Sequence, residues 1–353
     1  MSQDFLSQDL LSQDPLPTQL ATEWREAPDV VRRQARTLER PIGTLLEALR
    51  SRAPRLIVTC ARGSSAHAAT YGKHLFERHL GWPVSAAAPN IASIYRRPLE
   101  LKDQLFIAIS QSGRSEDIVT TAAMARASGA ITAAIVNDCD SPLALACEHM
   151  LPMSAGPELS VAATKTFIAS LAALLRLAAA WSNDGAMLES LTHLPERLAQ
   201  AAALDWSAAI PQLSAARSVM TIGRGPTLAI AREAALKLKE LCNIHAEAFS
   251  SAEFQHGPIA LVEPTYPVVV FGTADESAEG LAALVTDLAR KGATVFPLGV
   301  HADHAPPMLG AGQAEADAIC LIQAFYRLLL QIAAQRGSNI DRPRHLKKIT
   351  TTR

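Results

Sequence analysis

Along most of the chain, short apolar runs alternate with longer segments whose apolar positions recur every three or four residues. RLIVTCARG (55–63) is an apolar run closed by Gly63, and SSAHAATYGKHLFERHL behind it has helical periodicity. VSAAAP, QLFIAISQSG, ITAAIVND and MLPMS repeat the run, and helical patterns cover about 115–128, SPLALACEH and Val161 to Trp181. After an Ala- and Leu-rich helical stretch (188–204) the rhythm restarts. SVMTIGRG is a strand ending in glycine and PTLAIAREAALKLKELCN a helix; YPVVVFGT, a helix over about 277–292, TVFPLGV and a final helix through Arg336 follow. Strands alternating with helices at this spacing predict an α/β protein whose parallel sheets carry helices on both faces, a doubly wound arrangement. A strand–Gly–helix unit opens both halves, at Gly63 and at Gly223/Gly225, which predicts two related lobes.

The ends read differently. The triplet SQD occurs three times before Pro15, a low-complexity pattern that predicts a tail over residues 1–21. A helical pair is expected over 22–50, a first α/β domain over 51–200 and a second over 201–336. The last segment, 337–353, is polar and basic without periodicity.

Composition narrows the class. With 353 residues, 49% hydrophobic and 19% charged, the chain is globular and long enough for two cores. A net charge of −1 gives no general attraction to nucleic acid or anionic membrane, so neither is expected as a partner. The five cysteines are scattered and never form a CxxC pair, which argues against a disulfide framework or a thiolate zinc site. The N-terminus lacks a basic region followed by an apolar core, and the most apolar helical stretch, 167–181, carries Arg176 and falls short of the ~20 residues that span a bilayer. A cytoplasmic, reduced protein is expected.

Candidate chemistry begins where the run QLFIAIS stops. Ser110, Gln111, Ser112, Gly113 and Ser115 stand between a buried strand and a helix start, at the carboxyl edge where doubly wound sheets bind ligands. Hydroxyls, an amide and a helix N-terminus with free N–H groups suit an anion. Ser115 alone reads equally as an ordinary N-cap. The pattern is neither GxGxxG nor a Walker loop, so a sugar phosphate fits better than a nucleotide. A second loop, Ala61-Arg62-Gly63-Ser64-Ser65, also joins a strand to a helix and would bring Ser65 to the same edge.

On PTLAIAREAALKLKELCN, Glu233, Lys237 and Glu240 fall at i, i+4 and i+7 and share one face, while Arg232 and Lys239 form a second charged stripe. The row reads either as a salt-bridge ladder or as a carboxylate placed beside an ammonium for proton transfer next to a carbonyl. Downstream, His245, Glu247, Glu253 and His256 cluster without the fixed spacing of a metal site, so no metal is expected. His256, just before Gly257-Pro258, suits a proton shuttle.

These residues together resemble the isomerase half of glucosamine-6-phosphate synthase, a tandem pair of SIS (sugar isomerase) domains. SQSG, GPELSVAATKTF, GRG, EAALKLKE, IHAEAFSSAEFQHGP and the terminal DRPRHLKK occur in family order from Glu23 to the end. The resemblance implies that Ser65, Ser110, Gln111, Ser112 and Ser115 contact phosphate and sugar, and that Val161 and Ala162 offer backbone contacts. It implies that Glu240 moves the proton between C1 and C2 with Glu233 and Lys237 in support. His256 then opens the ring from a neighbouring subunit of a homodimer, and Lys348 forms an imine with the open-chain ketose, its amine kept neutral by burial. No metal, nicotinamide or pyridoxal cofactor is required.

Departures from the family pattern are Ala163 in place of serine, Ile94 in place of an acidic residue, and no glutaminase segment ahead of the tail. The implied activity is a glucosamine-6-phosphate deaminase. An aldose–ketose isomerase or a fructosamine-phosphate deglycase would use the same residues, and a non-catalytic phosphosugar-binding regulator would use the same fold.

Overall fold

The structure, a computed structural model, describes residues 18–348. Helices α1 (Gln19–Arg25) and α2 (Ala27–Arg52) lead into β1 (Ile57–Ala61), α3 (Gly63–Leu80), β2 (Val84–Ala86), α4 (Pro89–Ser93), β3 (Leu105–Ser110) and α5 (Glu116–Ala127). β4 (Ile131–Val136), α6 (Pro142–Ala146), β5 (His149–Pro152), α7 (Lys165–Ser182) and α8 (Gly185–Ala202) follow. After α9 (Ile210–Ala215), the second series runs β6 (Ser218–Gly223), α10 (Thr227–Cys242), β7 (His245–Ser250), α11 (Ser251–Gln255), β8 (Pro267–Phe271), α12 (Ala278–Arg290), β9 (Thr294–Leu298) and α13 (Ala314–Gln335). The expected tail over 1–21 lies mostly outside the described residues. Where it meets them, the helix begins at Gln19 rather than Thr22, because the Thr18 hydroxyl accepts the Ala21 amide and starts the first turn.

Both sheets are parallel throughout. Their strand orders are β2-β1-β3-β4-β5 and β7-β6-β8-β9, the doubly wound order with helices on both faces. The chain divides into two compact units with interleaved segments. One comprises Glu26–Glu158, Lys165–Glu196 and the chain from Lys347; the other comprises the segment through Arg25, Leu159–Thr164 and Arg197–Leu346.

In the first unit every residue of β3 and β4 is buried, since helices cover the sheet on each side. Val58, Phe106, Ala108 and Val136 pack on one face against Ile118 and Ala122 of α5 and Leu143 of α6. The second unit repeats the scheme with Met220, Ile222, Val268 and Val270 against Phe254, Leu281 and Leu288.

The apolar stretch 167–181 belongs to an 18-residue helix, and α13 has 22 residues, so both are long and apolar enough by composition to cross a membrane. The helix expected from Val161 begins instead at Lys165 and runs to Ser182, so the stretch read as too short lies in a helix long enough by length alone. In the fold 78% of one helix window and 83% of the other are buried, so these apolar faces are core faces.

Candidate active site

In the first unit, β1 and β3 are neighbours with Ala61 opposite Ile109, so the loops after them emerge side by side at the carboxyl edge. Ser110, at the end of β3, is buried, and its hydroxyl accepts the Gly113 amide at 3.1 Å. The Ser112 hydroxyl accepts the Arg114 amide at 3.3 Å. Ser115 occupies the N-cap of α5 with extended backbone, yet its side chain makes no cap hydrogen bond. The capping reading therefore fails for Ser115. Ser65 stands within the first turn of α3 rather than in a loop. The side chains of Ser65, Gln111 and Ser115 make no hydrogen bond among the described residues.

Gly113 has a closer structural cause than the expected approach to phosphate. Its φ is +62°, and a Cβ there would stand 2.1 Å from the Ser141 hydroxyl at the start of α6. Two carboxylates, Glu116 and Asp117, occupy the first turn of α5. Asp117 is answered by Arg62, whose Nε and Nη2 lie 3.0 and 2.7 Å from Oδ2. Neutralising Asp117 keeps this helix end receptive to an anion. The pairing that gives Arg62 a role joins residues far apart in the chain, which no local pattern announces.

Lys348 also belongs to this unit. Its Nζ stands 3.5 Å from Oε2 of Glu158, whose side chain is fully buried. Glu158 accepts in addition the amide (3.1 Å) and hydroxyl (2.5 Å) of Thr166 in the first turn of α7. Lys348 itself is 27% exposed. The expected burial of a neutral amine is thus replaced by a partly exposed amine beside a buried carboxylate. Glu158 lies inside GPELSVAATKTF, where no spacing marks it as a partner of Lys348.

In the second unit, α10 can pack tightly on its sheet because Gly223 lacks a side chain; a Cβ there would fall 2.3 Å from the Thr227 carbonyl oxygen. On this helix the Lys237 ammonium is 3.2 Å from Glu233 Oε1 and 2.7 Å from Glu240 Oε2. Glu233 and Lys237 are fully buried, and Glu240 is 21% exposed. Burial works against the ammonium, but the carboxylates of Glu233 and Glu240 outweigh it and hold the Lys237 pKa above the usual lysine value. The row is therefore a salt-bridge ladder, but a buried one. Lys237 grips one oxygen of Glu240 and leaves the other without a partner among the described residues.

Val161 and Ala162 sit in a loop of this unit that is pinned by a buried carboxylate. Glu23 of α1 accepts the amides of Leu159 (2.5 Å) and Ser160 (3.2 Å) and the Gln19 side chain (3.0 Å). Burial alone would raise the Glu23 pKa, yet hydrogen bonds from Ser160, Leu159 and Gln19 bring it below the usual glutamate value. His256 caps α11 at its C-terminus, is exposed, and its imidazole makes no hydrogen bond among the described residues. Among the described residues no group of three or more His, Cys, Asp or Glu side chains is arranged to hold a metal ion.

The geometry thus supplies a serine-lined sheet edge with Lys348 in one unit, and a clamped, half-open carboxylate with His256 in the other. Comparison with known proteins places the chain in a family. The SIS domain model matches residues 51–180 and 212–301, and the chain belongs to the SIS domain family. It is 34% identical over 333 residues to a glutamine–fructose-6-phosphate aminotransferase (isomerizing) of Symbiobacterium thermophilum, covering 87% of this chain and 53% of that protein. A namesake from Halobacterium salinarum is 34% identical over 89% of this chain and 54% of its own length. The chain spans about half the length of these curated relatives.

Among solved structures, a protein of Silicibacter pomeroyi provisionally named a phosphosugar isomerase superposes with a TM-score of 0.86 at 41% identity, over 92% of this chain and 99% of its own. The C-terminal domain of glucosamine-fructose-6-phosphate aminotransferase from Francisella tularensis gives 0.81 at 25% identity, over 93% and 98%. Glucosamine-6-phosphate deaminase from Thermotoga maritima shares the fold, with a TM-score of 0.76 at 20% identity over 95% and 100%.

Proposed function

We propose that the protein converts glucosamine 6-phosphate and water to fructose 6-phosphate and ammonia. The observation that carries this reading is the Glu240 carboxylate, with one oxygen fixed by a buried ammonium and the other open. A module that only binds sugar phosphate has no use for a base held this way. Ser65, Ser110, Gln111, Ser112 and Ser115, with the N-terminus of α5, hold the phosphate, and Val161 and Ala162 contribute backbone contacts to the sugar. Remote phosphate binding then positions the reacting carbons.

His256, offered by the second subunit of a homodimer, opens the ring. Glu240 takes the C2 proton of the open aldehyde to give an enolamine, and a proton returns at C1. Water adds to the resulting C2 imine and ammonia leaves. Lys348 is the amine that can meet the ketose carbonyl, and it must first leave Glu158. The exposed, unpartnered imidazole of His256 supports a role across a subunit interface.

The test is ammonia release by the purified protein across a panel of amino-sugar phosphates, glucosamine 6-phosphate among them. Release from glucosamine 6-phosphate is expected. Turnover of a different phosphosugar without ammonia would replace the deaminase by an isomerase, and binding without turnover of any would replace it by a regulator. The relatives named for aminotransferase activity favour a second reading, the same sugar chemistry run towards the amino sugar. That reading requires ammonia to be incorporated into fructose 6-phosphate in the same assay run backwards.

A further inference from the structure

The second unit contains a cavity of about 240 Å³ at the carboxyl ends of β8 and β9, built wholly within that unit. This is the sheet edge where a doubly wound unit binds ligands, and β8 holds the place in its sheet that β3 holds in the other. The segment after β8 is chemically unlike SQSG-x-S. It reads Gly272-Thr273-Ala274-Asp275-Glu276-Ser277, and Asp275 already accepts both the amide (2.8 Å) and the hydroxyl (2.6 Å) of Ser277. Carboxylates at the entrance to α12 repel an anion, so a phosphate is excluded here.

The walls are apolar, with Leu281, Ala282, Val300, Leu309 and Leu321 facing the space. The ion pair at its wall, Arg197 with Asp317 at 2.5 Å and only partly exposed, is self-neutralising. Within this lining the Thr273 hydroxyl is buried, at 5% exposure, and has no hydrogen-bond partner among the described residues. An orphaned buried hydroxyl is costly and calls for a partner. Glycines let the ends of β8 and β9 pack against each other at the cavity's wall. A Cβ on Gly299, whose φ is +77°, would come 2.3 Å from the Gly272 carbonyl oxygen, and one on Gly272 would meet Val300 at 2.6 Å.

We propose that this cavity is a second ligand site, separate from the phosphosugar site, for a small uncharged molecule with an apolar body and one hydroxyl or carbonyl group that bonds to Thr273. A cavity of about 150 Å³ accepts benzene, so this one suits a molecule on the order of ten non-hydrogen atoms.

The probe is 4-fluorobenzyl alcohol, followed by fluorine NMR on the full chain. Saturable binding is expected, weakened about 5-fold by Thr273→Val, which removes the hydroxyl and keeps the shape. Ala282→Phe and, independently, Leu309→Trp should fill the space and abolish binding, with melting temperature confirming that each variant is folded. Thr273→Val should melt no lower than the parent, because the group it removes is unsatisfied. Saturating glucosamine 6-phosphate should leave probe binding unchanged. Absence of saturable binding, equal binding by the parent and both filled variants, or displacement by the phosphosugar would each overturn the proposal.

Discussion

At the scale of single residues, Lys237 decides more than any other side chain. It is a fully buried ammonium between two carboxylates, and among the described residues no other cation pairs with Glu240. Lys237→Met keeps the volume and removes the charge, leaving Glu233 and Glu240 facing each other in the interior. The loss should be roughly 3–5 kcal/mol by urea unfolding, and a change under about 1 kcal/mol would show that the ladder is not structural. Glu240→Gln keeps the hydrogen bond geometry and removes the base; turnover should fall at least 1,000-fold, or about three orders of magnitude, while phosphosugar affinity stays within about 3-fold. An active variant would exclude proton transfer by Glu240. The sequence displays the row itself, because i, i+4 and i+7 follow from helical geometry. It conceals Glu158 beneath Lys348 and Asp117 beside Arg62, since both pairs join segments distant in the chain and carry no local period.

At the scale of elements, two N-caps of identical residue type separate structure from function. Ser141 accepts the Ala144 amide at 3.4 Å and caps α6, whereas Ser115 makes no such bond at α5. Ser141→Ala should therefore cost about 0.5–2 kcal/mol, the usual range for a lost cap, and Ser115→Ala under about 0.5 kcal/mol. If Ser115 serves the phosphate, its alanine variant should instead raise KM for the phosphosugar; equal stability costs for the two would return Ser115 to a capping role. The loop that carries Val161 and Ala162 depends in the same way on α1. The pKa of Glu23 lies below its ordinary 4.5 in the fold, so its contribution is complete above that value and is lost as pH falls through the lower, folded one. Melting temperature followed from about pH 6 to about pH 3 should fall more steeply for the parent than for Glu23→Gln, and parallel curves would remove Glu23 from the acid response. Most strands and helices are legible from period and glycine punctuation. β7 is the exception. HAEAFS is an edge strand with His245 and Glu247 exposed, and its charges read as a polar cluster rather than as a strand's solvent face.

At the scale of the whole molecule, the two parallel sheets follow from the repeated strand–Gly–helix rhythm, but the division into units does not. A contact-poor boundary would leave a mark in composition; here the segments interleave, with α1 and residues 159–164 belonging to the unit of the second sheet. The cavity beside Thr273 is equally silent in the sequence, because its walls come from the ends of two strands, three helices and two loops. The thiols offer a way to test the interleaved division. Cys139 is exposed, while Cys60, Cys147, Cys242 and Cys320 are buried, each of the four with its pKa pushed up to about 12 by desolvation. Under native conditions a thiol reagent should therefore label Cys139 alone, slowly, since burial and the neighbouring Asp140 and Asp138 raise its pKa as well. Cys60 and Cys147 lie in one unit and Cys242 and Cys320 in the other. Pulse labelling along a guanidinium series, read by mass spectrometry, should release them in those two pairs, because each pair shares a core that opens as one. Cys60 emerging with Cys320 while Cys147 stays protected would show that the cooperative boundaries fall elsewhere.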